Sequence, residues 1–234
     1  MITDSGLEFN KQWYAIANAG IGGPKPYMAP TLFTVTDGTV SKSGALEVAI
    51  AGSSYTDMMA ATHRPLMPVF DPSRIYYSFS YNINLDPNAP TQGQALESEA
   101  VPTWTDKNGI SWQLPGYFQI NIEEKGMVQG FTTAEPWLDS DNRVQIPTPG
   151  TPYPVKISYM WNQVANTISL PGFKANGVKY AMPAAFQNVP ALAKNTVPNV
   201  DTWQQGMYVQ LQSDLASKGG SMTNKYTGIE LNWE

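Results

Sequence analysis

The feature that most constrains this chain is an alternation at period two. From Ile75 to Asn84, Ile75, Tyr77, Phe79, Tyr81 and Ile83 fall on one side and Tyr76, Ser78, Ser80, Asn82 and Asn84 on the other. An extended strand sends successive side chains to opposite faces, so this segment reads as a long strand with one buried and one polar face. Tyr117–Ile122 alternates likewise, with Tyr117, Gln119 and Asn121 off the apolar set, and Met207–Gln212 puts Tyr208, Gln210 and Gln212 on a polar face. The last run sets Thr227, Ile229, Leu231 and Trp233 against Gly228, Glu230 and Asn232. Helical periodicity is nearly absent, with room for a turn only at Thr202–Gln205 and Pro183–Phe186.

Further strands are predicted at Leu7–Ala17, Leu32–Thr36, Ala45–Ala51, Tyr55–His63, Gln94–Val101, Ile110–Gln113, Met127–Thr132, Val155–Trp161, Thr167–Leu170 and Val178–Met182. Asp37-Gly38, Asn108-Gly109 and Asn176-Gly177 are turn signals between them, and Asp86-Pro87-Asn88-Ala89-Pro90 reads as a loop. So many strands in 234 residues, 42% of them hydrophobic, imply an all-β, two-sheet antiparallel β-sandwich. No internal repeat is evident, and the Pro147–Pro154 stretch reads as an inter-strand loop, so residues 1–234 are expected to form a single β-sandwich domain.

Charge narrows the partners. Charged residues are 14% of the chain, with 14 Lys+Arg against 19 Asp+Glu and a net charge of −5. Arg64, Arg74 and Arg143 are the only arginines and no basic run reaches three residues, so a nucleic-acid partner is not expected. No apolar stretch approaches the ~20 residues of a membrane-spanning helix, so no membrane role is expected either. Met1–Gly6 has neither the basic region nor the apolar run of a signal peptide. With no cysteine, disulfides, thiol catalysis and cysteine zinc sites are excluded; with His63 as the one histidine, so is a two-histidine metal site.

Several segments carry a family resemblance: Gln94-Ala95-Leu96-Glu97 after a long strand, Tyr153–Tyr159, Asn166–Leu170, Asn176-Gly177-Val178, and the closing strand Tyr226–Trp233. This succession resembles the concanavalin A-like (laminin-G/glucanase-type) jelly rolls. The resemblance implies a jelly-roll sandwich whose last strand lies beside its first, here Leu7–Ala17 beside Tyr226–Trp233. It also implies a carbohydrate-related role, since such proteins include lectins, carbohydrate-binding modules, glycoside hydrolases and polysaccharide lyases. A secreted or periplasmic location goes with that reading.

Glu97 and Glu99 are the first candidates for chemistry. At i and i+2 on one strand they share a face, with Cα atoms ~6.5–7 Å apart. Paired carboxyls serve glycoside hydrolysis. Family-16-type glycosidases are similar in carrying Glu-x-Asp-x-x-Glu on such a strand, but here Ala100-Val101-Pro102-Thr103 follows and the third acid is missing. His63 and Tyr208 are candidate bases for an eliminating lyase, with Arg64 and Arg74 as candidate neutralisers. The Arg-Ser/Thr-Glu-Leu, Gln-x-His and Tyr-Phe-Lys motifs of the alginate-lyase family do not occur.

Seven Trp and twelve Tyr among so few charges suit the apolar faces and hydroxyls of sugars, which amides and carboxyls recognise. Trp104, Trp112, Trp137, Trp161 and Trp203 fall at strand ends or loops; Trp13 and Trp233 fall on strands and are expected in the core. Gln94, Glu97, Glu99, Gln119, Asn121, Tyr208 and Gln210, with Trp112, are expected to line one concave polar face that takes a poly- or oligosaccharide. The alternatives are a hydrolase or lyase in the same groove and a structural or adhesive module without a small ligand. Asp139-Ser140-Asp141-Asn142 reads as an Asx turn; it lacks the EF-hand Gly and Glu, and a structural calcium ion is the one cofactor for which the reading leaves room. Oligomeric state has no sequence signal.

Overall fold

Alternating strands with one apolar face need a second apolar face to bury it, and the chain meets that need with two antiparallel sheets. The computed structural model describes residues 2–4, 14–18, 35–36, 45–53, 55–65, 74–133, 135, 137–193 and 206–233. The strands are β1 (Ile2–Asp4), β2 (Tyr14–Asn18), β3 (Val35–Thr36), β4 (Ala45–Gly52), β5 (Thr56–Pro65) and β6 (Arg74–Asn84). A single helical turn, α1 (Ala89–Gln92), leads into β7 (Gly93–Thr105), β8 (Ser111–Gln113), β9 (Phe118–Asn121), β10 (Met127–Gly130) and β11 (Leu138–Arg143). Then come β12 (Tyr153–Asn162), β13 (Thr167–Ala175), β14 (Val178–Ala181), β15 (Val189–Pro190), β16 (Leu192–Ala193), β17 (Gly206–Leu215) and β18 (Gly220–Trp233).

Among the described residues each sheet has nine strands. Sheet A runs β14-β13-β12-β6-β18-β4-β3, with β1 also on β18 and β15 on β13. Sheet B runs β11-β10-β9-β7-β17-β5-β2, with β8 also on β7 and β16 on β8. Ile75, Tyr77, Phe79, Tyr81 and Ile83 of β6 are all buried between the sheets, as are Val155, Ile157, Tyr159 and Trp161 of β12 beside it. Across the interface Phe118 of β9 meets Phe173 of β13 edge-on at 5.0 Å. Full burial of one such side chain stabilises by about 1.5–3 kcal/mol.

The core tyrosines also bridge the sheets. Tyr77 donates to the Ala100 carbonyl (2.7 Å), Tyr81 to Ser98 Oγ (2.8 Å) and Tyr226 to the Gln212 carbonyl (3.2 Å). A hydroxyl at the tip of a buried ring must find a partner, and here that need pins one layer against the other.

The structure departs from the expected strands at four places. The last strand does not lie beside Leu7–Ala17: β18 pairs with β1, β4 and β6, while β2, at the end of that run, pairs with β5 in the other sheet. Strict alternation also fails within β18. Tyr226 faces Ile83 and Leu231 faces Phe79, five steps against four, so a bulge at Gly228 (φ +57°) switches the buried side. Residues 139–142 are not a turn but part of edge strand β11, where Ser140 Oγ donates to the Val128 carbonyl. The Pro90 loop contains α1, because a proline in a first helical turn loses no hydrogen bond. Pro183–Phe186 yields a 3-10 turn at Ala184–Phe186. Thr202–Gln205, Leu7–Trp13 and Trp203 lie outside the described residues.

Candidate functional site

In β17, Val209, Leu211, Ser213 and Leu215 take the core side, so Tyr208, Gln210, Gln212 and Asp214 must share the outer face of sheet B. They form a relay along the strand. Tyr208 Oη donates to Gln210 Oε1 (2.6 Å), Gln210 Nε2 to Gln212 Oε1 (2.7 Å), and Gln212 Nε2 to Asp214 Oδ1 (2.8 Å). Register brings Glu99 of β7 opposite Gln210, Glu97 opposite Gln212, and Asp57 of β5 opposite Asp214.

A second relay crosses the strands on the far side of β7. Gln119 of β9 pairs with Glu97, Gln129 of β10 with Gln119, and Asp139 of β11 with Gln129. Gln119 Nε2 and Asn121 Nδ2 donate to Gln129 Oε1 (2.8 and 3.2 Å), and Gln129 Nε2 donates to Asp139 Oδ1 (2.8 Å). Gln113 of β8 donates to Glu99 Oε2 (2.8 Å). The central carboxyls are nearly enclosed: Glu97 is 7% exposed, Glu99 6% and Asp214 1%.

Enclosure decides their charge. Burial first, then the charge and hydrogen bond of Asp214, then Glu99 and Asp57, raise the Glu97 carboxyl well above its ordinary range. Burial and the Asp57 charge push Asp214 up to about 7, against the hydrogen bonds of Gln212 and Glu97, which lower it. Two adjacent buried carboxylates are unfavourable, so a proton stays on Glu97 and is donated to Asp214. Burial, followed by the same acids, also raises the Tyr55 and Tyr117 hydroxyls.

Aromatic rings border this face. Tyr117 packs edge-on against Phe131 (centroids 4.9 Å), and Trp137 lies 6.3 Å from Tyr117 and 6.4 Å from Phe131. Tyr117 feels the charges of Glu99 and Glu97. Phe131 and Trp137 are half-buried, so rings remain accessible beside the carboxyl and amide groups.

Of the residues expected to converge, Glu97, Glu99, Gln119, Asn121, Tyr208 and Gln210 do share this face. Two do not join it. Trp112 pairs with Trp104 on β7, and its Nε1 donates to Asp106 Oδ2 (3.0 Å); alternation gives the place on the face to Gln113 instead. Gln94 sits at a bulge where Asp214 faces Ala95 and Leu215 faces Gly93. It contributes its carbonyl, which accepts from the Ile122 and Glu123 N–H groups. The backbone of His63 lies opposite Tyr208, and its side chain lies outside the described residues. Trp161, at a strand end, is buried in the core, and the Trp13 and Trp233 side chains lie outside the described residues.

Sequence reasoning missed Gln113, Gln129, Asp139 and Asp214 as members. Carrying the alternation two residues past Gln212 reaches Asp214, and Gln129 stands between the buried Val128 and Gly130. Nothing local announces Asp139, whose place depends on the pairing of β11 with β10. Among the described residues no group of three or more His, Cys, Asp or Glu side chains is arranged to hold a metal ion.

No protein-family model and no curated protein matches the chain. Solved structures do resemble it. Arcelin-5, a lectin-like defence protein from Phaseolus vulgaris, has 10% identity and a TM-score of 0.48 over 95% of this chain and 92% of its own. The carbohydrate recognition domain of Emp46p in its potassium-bound form has 9% identity and a TM-score of 0.45 over 99% of this chain and 92% of its own. The alginate lyase Aly36B, as a mutant in complex with an alginate trisaccharide, has 11% identity and a TM-score of 0.43 over 85% of this chain and 83% of its own. At these scores and identities, function has to be read from this chain's own side chains.

Proposed function

We propose that the chain binds a neutral oligo- or polysaccharide on the outer face of sheet B. The observation that carries this reading is the Tyr117, Phe131 and Trp137 cluster beside a pre-linked set of amides and carboxyls. Sugars offer an apolar C–H face and a rim of hydroxyls, and the two parts of the site match these in turn. Side chains already held in relays lose little freedom when a ligand docks. The test is titration calorimetry with neutral glycans selected on an array. Binding is expected, and Trp137→Ala should weaken it by about tenfold or more. Absence of binding to every neutral glycan, or binding that Trp137→Ala and Gln210→Ala both leave intact, overturns the reading.

A second reading has its own support. Glu97 and Glu99, two residues apart on β7, share this face, and a pair of carboxyls flanking a scissile bond is what glycoside hydrolysis needs. Release of reducing ends from a bound polysaccharide, abolished in Glu97→Gln, would favour it. Binding without release would leave the chain a binding module.

A further inference from the structure

The opposite side of the sandwich carries a different chemistry. On the outer face of sheet A, register places Lys156 of β12 opposite Lys174 of β13, and Lys174 opposite Lys179 of β14. The same row continues inward through Ser80 of β6 to Glu230 of β18. All three lysines are exposed. Like charges directly opposite one another on adjacent strands are destabilising. This chain has only 14 basic residues and a net charge of −5, yet it sets three of them side by side.

Beneath the row lies a depression of about 410 Å³, lined by Ser80, Asn82, Lys156, Lys174, Gly177 and Glu230 among others. Hydroxyl and amide groups thus stand beside the ammonium groups. Farther along β6 on the same face is Tyr76, 46% exposed, preceded by the exposed Arg74. Strand spacing sets the backbones that carry the lysines about 4.8 Å apart across the sheet. That step is close to the length of one pyranose residue in an extended chain.

We infer that the Lys156, Lys174 and Lys179 row with its depression is a second binding site, for a saccharide chain that carries one acid group per residue. Each ammonium group would meet one acid group, relieving the repulsion within the row. Ser80 and Asn82 would take hydroxyls, a role that a nucleic-acid backbone gives them less use for. The site is independent of the neutral-sugar face, since it lies on the other sheet.

Calorimetric titration of the full chain with oligogalacturonate, in low and in raised salt, tests this. Binding is expected, weaker as salt rises, and Lys156→Gln/Lys174→Gln should reduce it by about tenfold or more. The same double variant should leave neutral-glycan binding as it is, and its melting temperature should hold or rise because repulsion is removed. No oligogalacturonate binding overturns the inference, as does binding that the double variant leaves unchanged. Equal or tighter binding of an oligothymidylate of matched charge would also overturn it, by showing a general polyanion surface. A chain that binds oligogalacturonate but no neutral glycan would separate this site from the failure of the sheet B reading.

Discussion

The proton shared by Glu97 and Asp214 ties stability to pH in a calculable direction. The folded state holds these carboxyls above their ordinary values of 4.5 and 3.8, so it binds more protons than the unfolded chain between about pH 4 and 7. The Asp214 contribution is therefore complete in acid and is lost as pH rises through about 7, and that of Glu97 has the same sign. The melting temperature of the wild type should fall between pH 5 and pH 8. Asp214→Asn should flatten that slope and melt higher at pH 8; identical slopes in the two proteins would refute the shared proton. Gln129 offers a second measurement. It accepts from Gln119 and Asn121 and donates to Asp139, so Gln129→Ala leaves two buried amides without their acceptor and the exposed Asp139 without its donor. A cost of about 1–3 kcal/mol in a urea titration is expected. Most of the central residues of this network were legible from the chain, because i and i+2 on a strand share a face whatever the strand pairs with. Asp139 was not, because its role depends on which strand lies next to β11.

Among the described elements, the turn from β9 to β10 holds a tightly enclosed glycine. Gly126 has φ +81°, and a Cβ there would stand 2.1 Å from the Val144 carbonyl oxygen. Gly177, in the turn from β13 to β14, has φ +85° but nothing within 4 Å. Gly177→Ala should cost about 1 kcal/mol from backbone conformation alone, and Gly126→Ala at least about twice as much. Comparable denaturation midpoints for the two variants would contradict that ranking. The dipeptide Asn176-Gly177 marks the second of these connections in the sequence; the turn from β9 to β10 has no such signal. The Gly228 bulge carries no such mark: Thr227 to Trp233 reads as unbroken alternation, and only the mismatch with β6 reveals the extra residue.

For the molecule as a whole, the sheets are joined by polar bonds as well as by apolar burial. Tyr81 and Ser98 are such a pair, one from each layer. A double-mutant cycle on Tyr81→Phe and Ser98→Ala should return a coupling of about 0.5–3 kcal/mol, and zero coupling would show that the bond contributes nothing. Removing residues 226–234 should abolish the cooperative melt, because that part of β18 pairs with β6 on one side and, on the other, with β4 at Tyr226 and Thr227 and with β1 at Leu231–Trp233. A truncated chain that keeps its midpoint would disprove this. The two-sheet class followed from the sequence because alternation, turn signals and scarce helix all agreed. The assignment of strands to sheets did not follow, since antiparallel neighbours far apart in the chain leave no local trace.

That separation also sets an order of events during synthesis. The centre of sheet A is β6 against β18 and the centre of sheet B is β7 against β17, so each layer waits for a strand made long after its partner. Until then β6 and β7 each present a free edge beside an apolar face, the state in which strands pair with the wrong chain. Folding dominated by such distant pairings is slow. The yield of native protein should therefore depend on what shields the unfinished chain as it leaves the ribosome.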